Sequence, residues 1–220
     1  MKKLELAPKE RILGIIKGLH KIYPDARVEL NFSNVWELMV AVILSAQCTD
    51  VRVNKVTPEL FEKYSTIESF AHAKASELEQ KIYSTGFYRN KAKNIQAAAR
   101  KIIAEFKGKV PSIMEELLTL PGVARKTANV ILSSGFGKDC GIVVDTHMIR
   151  ICGLLELVSP QAVKTKNAVQ IEKELMEIVP KKYWGLFSHL IVWHGRRVCI
   201  ARRPQCEKCV INQLCPGAII

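Results

Sequence analysis

The chain has 220 residues, with 33 Lys and Arg against 21 Asp and Glu, a formal net charge of +12. Hydrophobic residues at 48% and charged residues at 25% are globular values, and they exclude a disordered chain, which lacks the apolar side chains to offset its ordering entropy. With only 12 Gly and 9 Pro the chain is not collagenous or low-complexity either.

The N-terminus, MKKLELAPKERILG, is basic but has no apolar core of the kind a secretory signal needs. An intracellular protein is expected, and in that setting seven cysteines point to metal binding or burial rather than to a disulfide framework. Residues 8–23 place Ile12, Ile15, Ile16, Leu19, Ile22 and Tyr23 on one helical face, and Pro24 stops that helix. Residues 35–46, VWELMVAVILSA, are apolar nearly all round, which predicts a buried central helix; a buried strand is the competing reading, and a length of twelve residues favours the helix. The apolar stretch Leu38 to Ala46 is about half the roughly 20 residues a membrane span requires, so none is expected. Residues 90–106 repeat the helical pattern with Ile95, Ala99, Ile102, Ile103 and Phe106, and Gly108 ends it. Ser112 and Glu115 after Pro111 predict a mutually capped helix start, with a short helix to about Thr119. A further helix is expected from near Arg125 to just before Gly135. Asn167 and Gln170 predict a similar cap for a helix carrying Ala168, Ile171, Leu175 and Ile178. Residues 183–194 form the last long helix, stopped by Gly195. No segment alternates as a strand does, and no internal repeat is visible. The expected fold class is all-α with short connections.

Residues 117–130, LLTLPGVARKTANV, join two of these helices through a tight turn at Leu120-Pro121-Gly122-Val123-Ala124. Pro121 fixes φ and Gly122 can take a positive φ. The unpaired N–H groups opening the next helix suit a phosphate, without reading base sequence. An ordinary helix corner is the competing reading. Lys126 falls in the first turn of that helix. The dipole disfavours a cation there, and an amine without its proton is a nucleophile, but most lysines are plain surface charges, and in isolation that reading is the stronger one. Asp145, nineteen residues on in GIVVDTHMIR, could orient or deprotonate an amine, but a helix N-cap is the reading its own surroundings favour.

Cys199, Cys206, Cys209 and Cys215 are spaced C-x6-C-x2-C-x5-C, four thiolates within seventeen residues. This points to an inorganic centre, either a tetrahedral zinc or a 4Fe-4S cubane, and spacing alone leaves both open. The first gap holds Arg202 and Arg203. Residues 181–220 carry seven basic residues against one acid, half the total excess, so a polyanion partner is expected there. Cys48, Cys140 and Cys152 stand among apolar neighbours and are expected to be small buried side chains.

LPGVARKTANV, VDTHMIR, the cysteine spacing and the block ELNFSNVWELMVAVILSAQCTDVRVNK together resemble the endonuclease III family of helix-hairpin-helix DNA glycosylases. The resemblance covers nearly the whole chain. It implies two helical domains with a DNA-binding cleft between them. One is a six-helix barrel over residues 28–139 that contains the helix-hairpin-helix. The other combines 1–27 with 140–220 and carries the cluster loop. It further implies a bifunctional enzyme of base excision repair, a DNA N-glycosylase and abasic-site lyase. Such an enzyme removes oxidised pyrimidines of the thymine glycol type from duplex DNA after flipping them out. Lys126 matches the Schiff-base nucleophile and Asp145 the assisting carboxylate, while the four cysteines match the ligands of a 4Fe-4S cluster. Gln47 matches the residue that fills the space of the flipped base, and Phe87 a wedge against the opposing strand, with a core contact as the plain alternative. Leu120, Gly122, Val123, Ala124 and Arg125 of the hairpin, and Arg202 and Arg203, are expected at the DNA. Arg89, Lys91 and Lys93 are further candidates for the groove, whereas Thr49 and Asp50 are expected to open a helix. The family usually has Gly where this chain has Ala124, a change that costs about 1 kcal/mol or more if φ must be positive there. A monomer acting on damaged or abasic duplex DNA in the cytoplasm, at the nucleoid, is expected. The related adenine glycosylases lack the catalytic lysine and have a further C-terminal domain, and a non-catalytic DNA-binding module would bind without turnover. Lys126 argues against the first, and replacing it with Gln separates the second.

Overall fold

The structure is a computed structural model, and it describes residues 7–219. Residues 1–6 and 220 of the expected cluster domain lie outside these. Twelve α-helices and several short 3-10 turns, but no strand, occur among the described residues. The chain divides into two compact units, one running to Val28 and resuming at Asp139, the other Glu29–Lys138. No described helix is long and apolar enough to cross a membrane.

In the first unit, α1 (Pro8–Ile22) opens with Pro at its first position, and the Glu10 carboxylate accepts from the Ala7 N–H at 2.9 Å. It buries Ile12, Ile15, Ile16 and Leu19. Ile22, expected on that face, is 48% exposed, because the stripe has rotated away from the core by the last turn. Arg11 is buried as well. Its guanidinium donates to the carbonyls of Leu155 and Leu214, each at 2.9 Å, so the two ends of the sequence are tied together within this unit.

The second unit is built around α2 (Val35–Leu44). Trp36 and every residue from Leu38 to Leu44 are buried, as a helix that is apolar nearly all round requires. Asn34 caps it, accepting from the Glu37 N–H at 2.9 Å. The surrounding helices are α3 (Asp50–Lys63), capped by Thr49, α4 (Ile67–His72), α5 (Ala75–Ile82) and α6 (Tyr88–Phe106). α6 ends through Lys107 in the left-handed region, with the Gly108 N–H reaching back to the Ile102 carbonyl at 3.1 Å. The next helix, α7 (Met114–Leu117), is not opened by Ser112 and Glu115 as its sequence suggests. The N-cap is Ile113 with no side-chain bond, and the Ser112 hydroxyl instead accepts from Lys138 Nζ at 2.8 Å. Tertiary pairing with a lysine has won over the local cap. α8 (Arg125–Val130) continues as a π-turn over Ile131–Gly135.

The chain then returns to the first unit with α9 (Thr146–Leu154), α10 (Pro160–Lys164), α11 (Ala168–Ile178) and α12 (Trp184–Arg197). Asn167 caps α11 by accepting from the Gln170 N–H at 3.1 Å, but the Gln170 side chain turns to Glu174 rather than back to the cap. Gly195 does not stop α12, which runs two residues further. A Cβ at 195 would lie 2.5 Å from His147 Nδ1, so glycine is there for close packing between α12 and α9, not for termination.

Candidate active site and metal centre

The Leu-Pro-Gly turn folds as a hairpin between α7 and α8. Gly122 has φ +80°, and a Cβ there would sit 3.0 Å from Asn94 Cβ on α6. Ala124 is the N-cap of α8 with φ −91° and ψ 170°, an extended conformation that any residue adopts. The Cβ at Ala124 therefore carries no strain. Gly122→Ala is expected to cost about 1–2 kcal/mol, and Ala124→Gly to change stability by a few tenths at most. Thermal melting of the two variants checks the contrast. Leu120 and Val123 are buried, 3% and 6% exposed, so only their backbone can face a ligand. Arg125 and Lys126 are exposed.

Lys126 occupies the first turn of α8, where the N–H groups have no intrahelical partner. Its setting is the positive end of the helix dipole. Among the described residues no carboxylate pairs with it. In the other unit, Asp145 is the N-cap of α9, with Oδ1 accepting from the Met148 N–H at 2.8 Å. The cap expected from its surroundings is present, and it fixes the carboxylate's direction while Oδ2 remains for another partner.

Within the second unit Gln47, Phe87, Asn94, Gly122 and Thr127 line one cavity of about 200 Å³. Gln47 and Phe87 are exposed and both left-handed, with φ 53° and 49°. Phe87 is 62% exposed, so a core contact does not account for it. Left-handed backbone in a Gln and a Phe costs about 1–2 kcal/mol each, and such strain concentrates at functional sites. Arg89 and Lys93 are exposed, as a groove position requires. Lys91 is not available to a phosphate. It is 4% exposed and bonded to backbone carbonyls, which corrects its placement in the groove.

The four clustered cysteines are half-buried around one cavity of about 350 Å³ in the first unit. Short 3-10 turns at Cys206–Lys208 and Asn212–Leu214 shape the segment, and the Cys206 carbonyl accepts from Asn212 Nδ2 at 3.3 Å. The walls are apolar, from Ile151, Leu155 and Ile211. Arg150 Nη1 lies 3.3 Å from Cys199 Sγ, and His194 Nε2 3.5 Å from Cys209 Sγ. Burial, aided by the Arg150 charge, holds the His194 imidazole down to about 4, so it stays neutral near pH 7. Burial also pushes the Cys209 thiol up and the Cys215 thiol up to about 11. Ligation must then displace protons, which a cationic iron centre does. Four half-buried cysteine sulfurs around one apolar-walled cavity are a donor set that fits an iron–sulfur cluster. Arg202 and Arg203 stand exposed on the loop between the first two ligands. Of the remaining cysteines only Cys152 is buried. Cys140 is exposed and Cys48 half-buried, which corrects the expectation for both, since each lies outside the helices and not on a core-facing helix position. Sequence reading missed Asn94 beneath the hairpin, and Arg150 and His194 beside the sulfurs. No local pattern marks them.

Residues 40–181 match the HhH-GPD superfamily of base excision DNA repair proteins, and residues 199–215 match the iron-sulfur binding domain of endonuclease III. The chain is 51% identical to an endonuclease III of Synechocystis sp. over 210 residues, 96% of this chain and 94% of that one. It is 46% identical over 195 residues to an endonuclease III of Bacillus subtilis, covering 88% and 86% of the two chains. Among solved structures it resembles a trapped covalent intermediate of endonuclease III with DNA that carries an estranged adenine. The TM-score is 0.89 with 43% identity, covering 97% of this chain and 98% of that one.

Proposed function

The chain belongs to the endonuclease III family of HhH-GPD base excision DNA repair proteins, and on that premise we propose a substrate and a chemistry for it. It is a DNA N-glycosylase and abasic-site lyase with a 4Fe-4S cluster. Its substrates are oxidised pyrimidines of the thymine glycol type in duplex DNA, and the abasic sites they leave. It acts as a monomer on the chromosomal DNA of the cytoplasm. The observation that carries this reading is an exposed lysine amine, Lys126, in the first turn of a helix entered from the positive-φ Gly122 turn.

Lys126 Nζ, in its neutral form, attacks C1′ of the damaged nucleotide. The bond from C1′ to the base breaks, and the base leaves with the electron pair and gains a proton. Opening of the C1′–O4′ bond leaves an iminium between Nζ and C1′. Loss of a C2′ proton then expels the 3′ phosphate oxygen, and water returns the free amine. Asp145, directed by its cap bond to the Met148 N–H, is the carboxylate that takes a proton and offsets positive charge on the sugar. Gln47 and Phe87 enter the stack, one filling the vacated space and the other wedging the opposite strand. Hairpin N–H groups at Gly122 to Ala124, with Arg125, Arg202 and Arg203, bear on the phosphates. Cys199, Cys206, Cys209 and Cys215 hold the cluster, whose contribution when bound is to brace the basic loop.

The test is a panel of duplexes carrying thymine glycol, an oxidised purine or no damage, with base release and strand cleavage followed separately. Thymine glycol is expected to be released and cleaved, and equal or faster release of the purine would refute the substrate assignment. With Asp145→Asn, the cap survives because Asn is as good an N-cap. Stability should change little while base release falls by about 10²–10⁴-fold. Unaltered release would leave Asp145 as a cap alone.

A further inference from the structure

Lys91 sits in the first turn of α6, 4% exposed, and its ammonium points inward. Nζ donates to the Leu44 carbonyl at 2.7 Å and to the Thr85 carbonyl at 2.8 Å. These two acceptors come from distant parts of the sequence, and each ends just before a left-handed residue. Leu44 is the last residue of α2, three before Gln47. Thr85 closes a 3-10 turn, two before Phe87. The backbone of Lys91 joins in, with its N–H donating to the Phe87 carbonyl at 3.1 Å. Gln47, Phe87 and Lys91 also line the same cavity of about 200 Å³, so the clamp lies directly beneath both turns.

No acid among the described residues pairs with this ammonium, and Cys48 is the one titratable group whose charge bears on it. Burial holds it below the usual lysine range. An unpaired buried charge is an expensive way to fill space that a Met or Leu would fill without that cost. The carbonyl at the C-terminal end of α2 is an orphan acceptor at the negative end of the helix dipole, which partly compensates. What the ammonium does that an apolar chain could not is bond two turns at once, each carrying a strained residue that must hold its direction.

We propose that Lys91 is a positioning residue, which locks the Gln47 and Phe87 turns in mutual register so that both side chains enter the duplex together. This rests on the reading of Gln47 and Phe87 as the residues that enter the DNA. The reaction then depends on Lys91 only where a base stack must be penetrated.

The test compares two single-turnover rates, excision of thymine glycol from duplex and cleavage of a single-stranded abasic oligonucleotide, which has no stack to enter. Lys91→Met is expected to lower the ratio of the first to the second by about 10- to 100-fold, the scale of a misplacement of about 1 Å. A merely structural role would scale both rates together and leave the ratio alone, and that result overturns the proposal. Gln47→Ala and Phe87→Ala are the references, and both should lower the ratio. If they do not, the reading of those two residues falls and takes the proposal with it. If they do and Lys91→Met does not, the proposal alone falls. In a Gln47→Ala, Phe87→Ala background, adding Lys91→Met should lower the ratio by less than about threefold, since nothing remains to position, and a full multiplicative loss contradicts this. Lys91→Gln is one atom shorter and keeps only one of the two bonds. It should fall between wild type and Lys91→Met, and it is read in the same way if Lys91→Met does not fold.

Discussion

Lys126→Gln is expected to lower strand cleavage and base release by about 10⁴-fold or more, the scale of losing a covalent nucleophile. Duplex affinity should change by less than about tenfold, the share of a single phosphate contact at moderate salt. The two magnitudes separate the roles cleanly. A lysine that only touches a phosphate would weaken binding and flatten the salt dependence by about one unit of slope, with little effect on the chemical step at saturation. The variant should fold, because position 126 is exposed and Gln is nearly as good a helix former as Lys. Circular dichroism and a binding isotherm alongside the cleavage assay check all three statements.

The second large effect is expected at the cysteines. Cys206→Ser should abolish the brown visible absorption of the cluster and strip the first unit of most of its folded yield. Residues 198–219 contain no α-helix, and the segment is shaped by 3-10 turns with Ile211 and Pro216 as its buried apolar side chains. So little burial does not by itself offset the ordering entropy of this segment. Ligation adds to it, and a structural metal contributes on the order of 10 kcal/mol, as much as the whole stability of a typical domain. Cys140→Ser is the matched control. Its side chain is exposed, so it should change stability by less than about 0.5 kcal/mol and leave the colour intact. A colourless Cys206→Ser protein that melts as wild type does would show that the loop folds without the cluster.

Much of this organisation is legible in the sequence, for reasons that can be named. α2 is readable because its apolar residues leave no polar face, and α1 because Ile12, Ile15, Ile16 and Leu19 recur at helical spacing. The turn at Gly122 is readable because Leu-Pro-Gly has few conformations open to it. The cysteines are readable because four thiols so close in sequence have no common structural use. What the sequence hides is decided by tertiary partners. Ser112 looks like a cap and serves Lys138 instead. Gly195 looks like a helix stop and is a packing site for His147. Lys91 looks like one more basic residue in YRNKAKN, and only the fold places it under two turns. Ala124 looks like a defect against a Gly-containing pattern, and its φ of −91° removes the objection.

The central claim is that Lys126 forms a covalent imine with the sugar of a damaged nucleotide. Borohydride reduction tests it most directly, on a duplex with one thymine glycol opposite adenine, with wild type and Lys126→Gln side by side. The account predicts a stable protein–DNA adduct with wild type, its site at Lys126 by peptide mapping, and none with the variant. An adduct that persists in Lys126→Gln, or a wild-type enzyme that cleaves the duplex and a plain abasic site without ever being trapped, would contradict it.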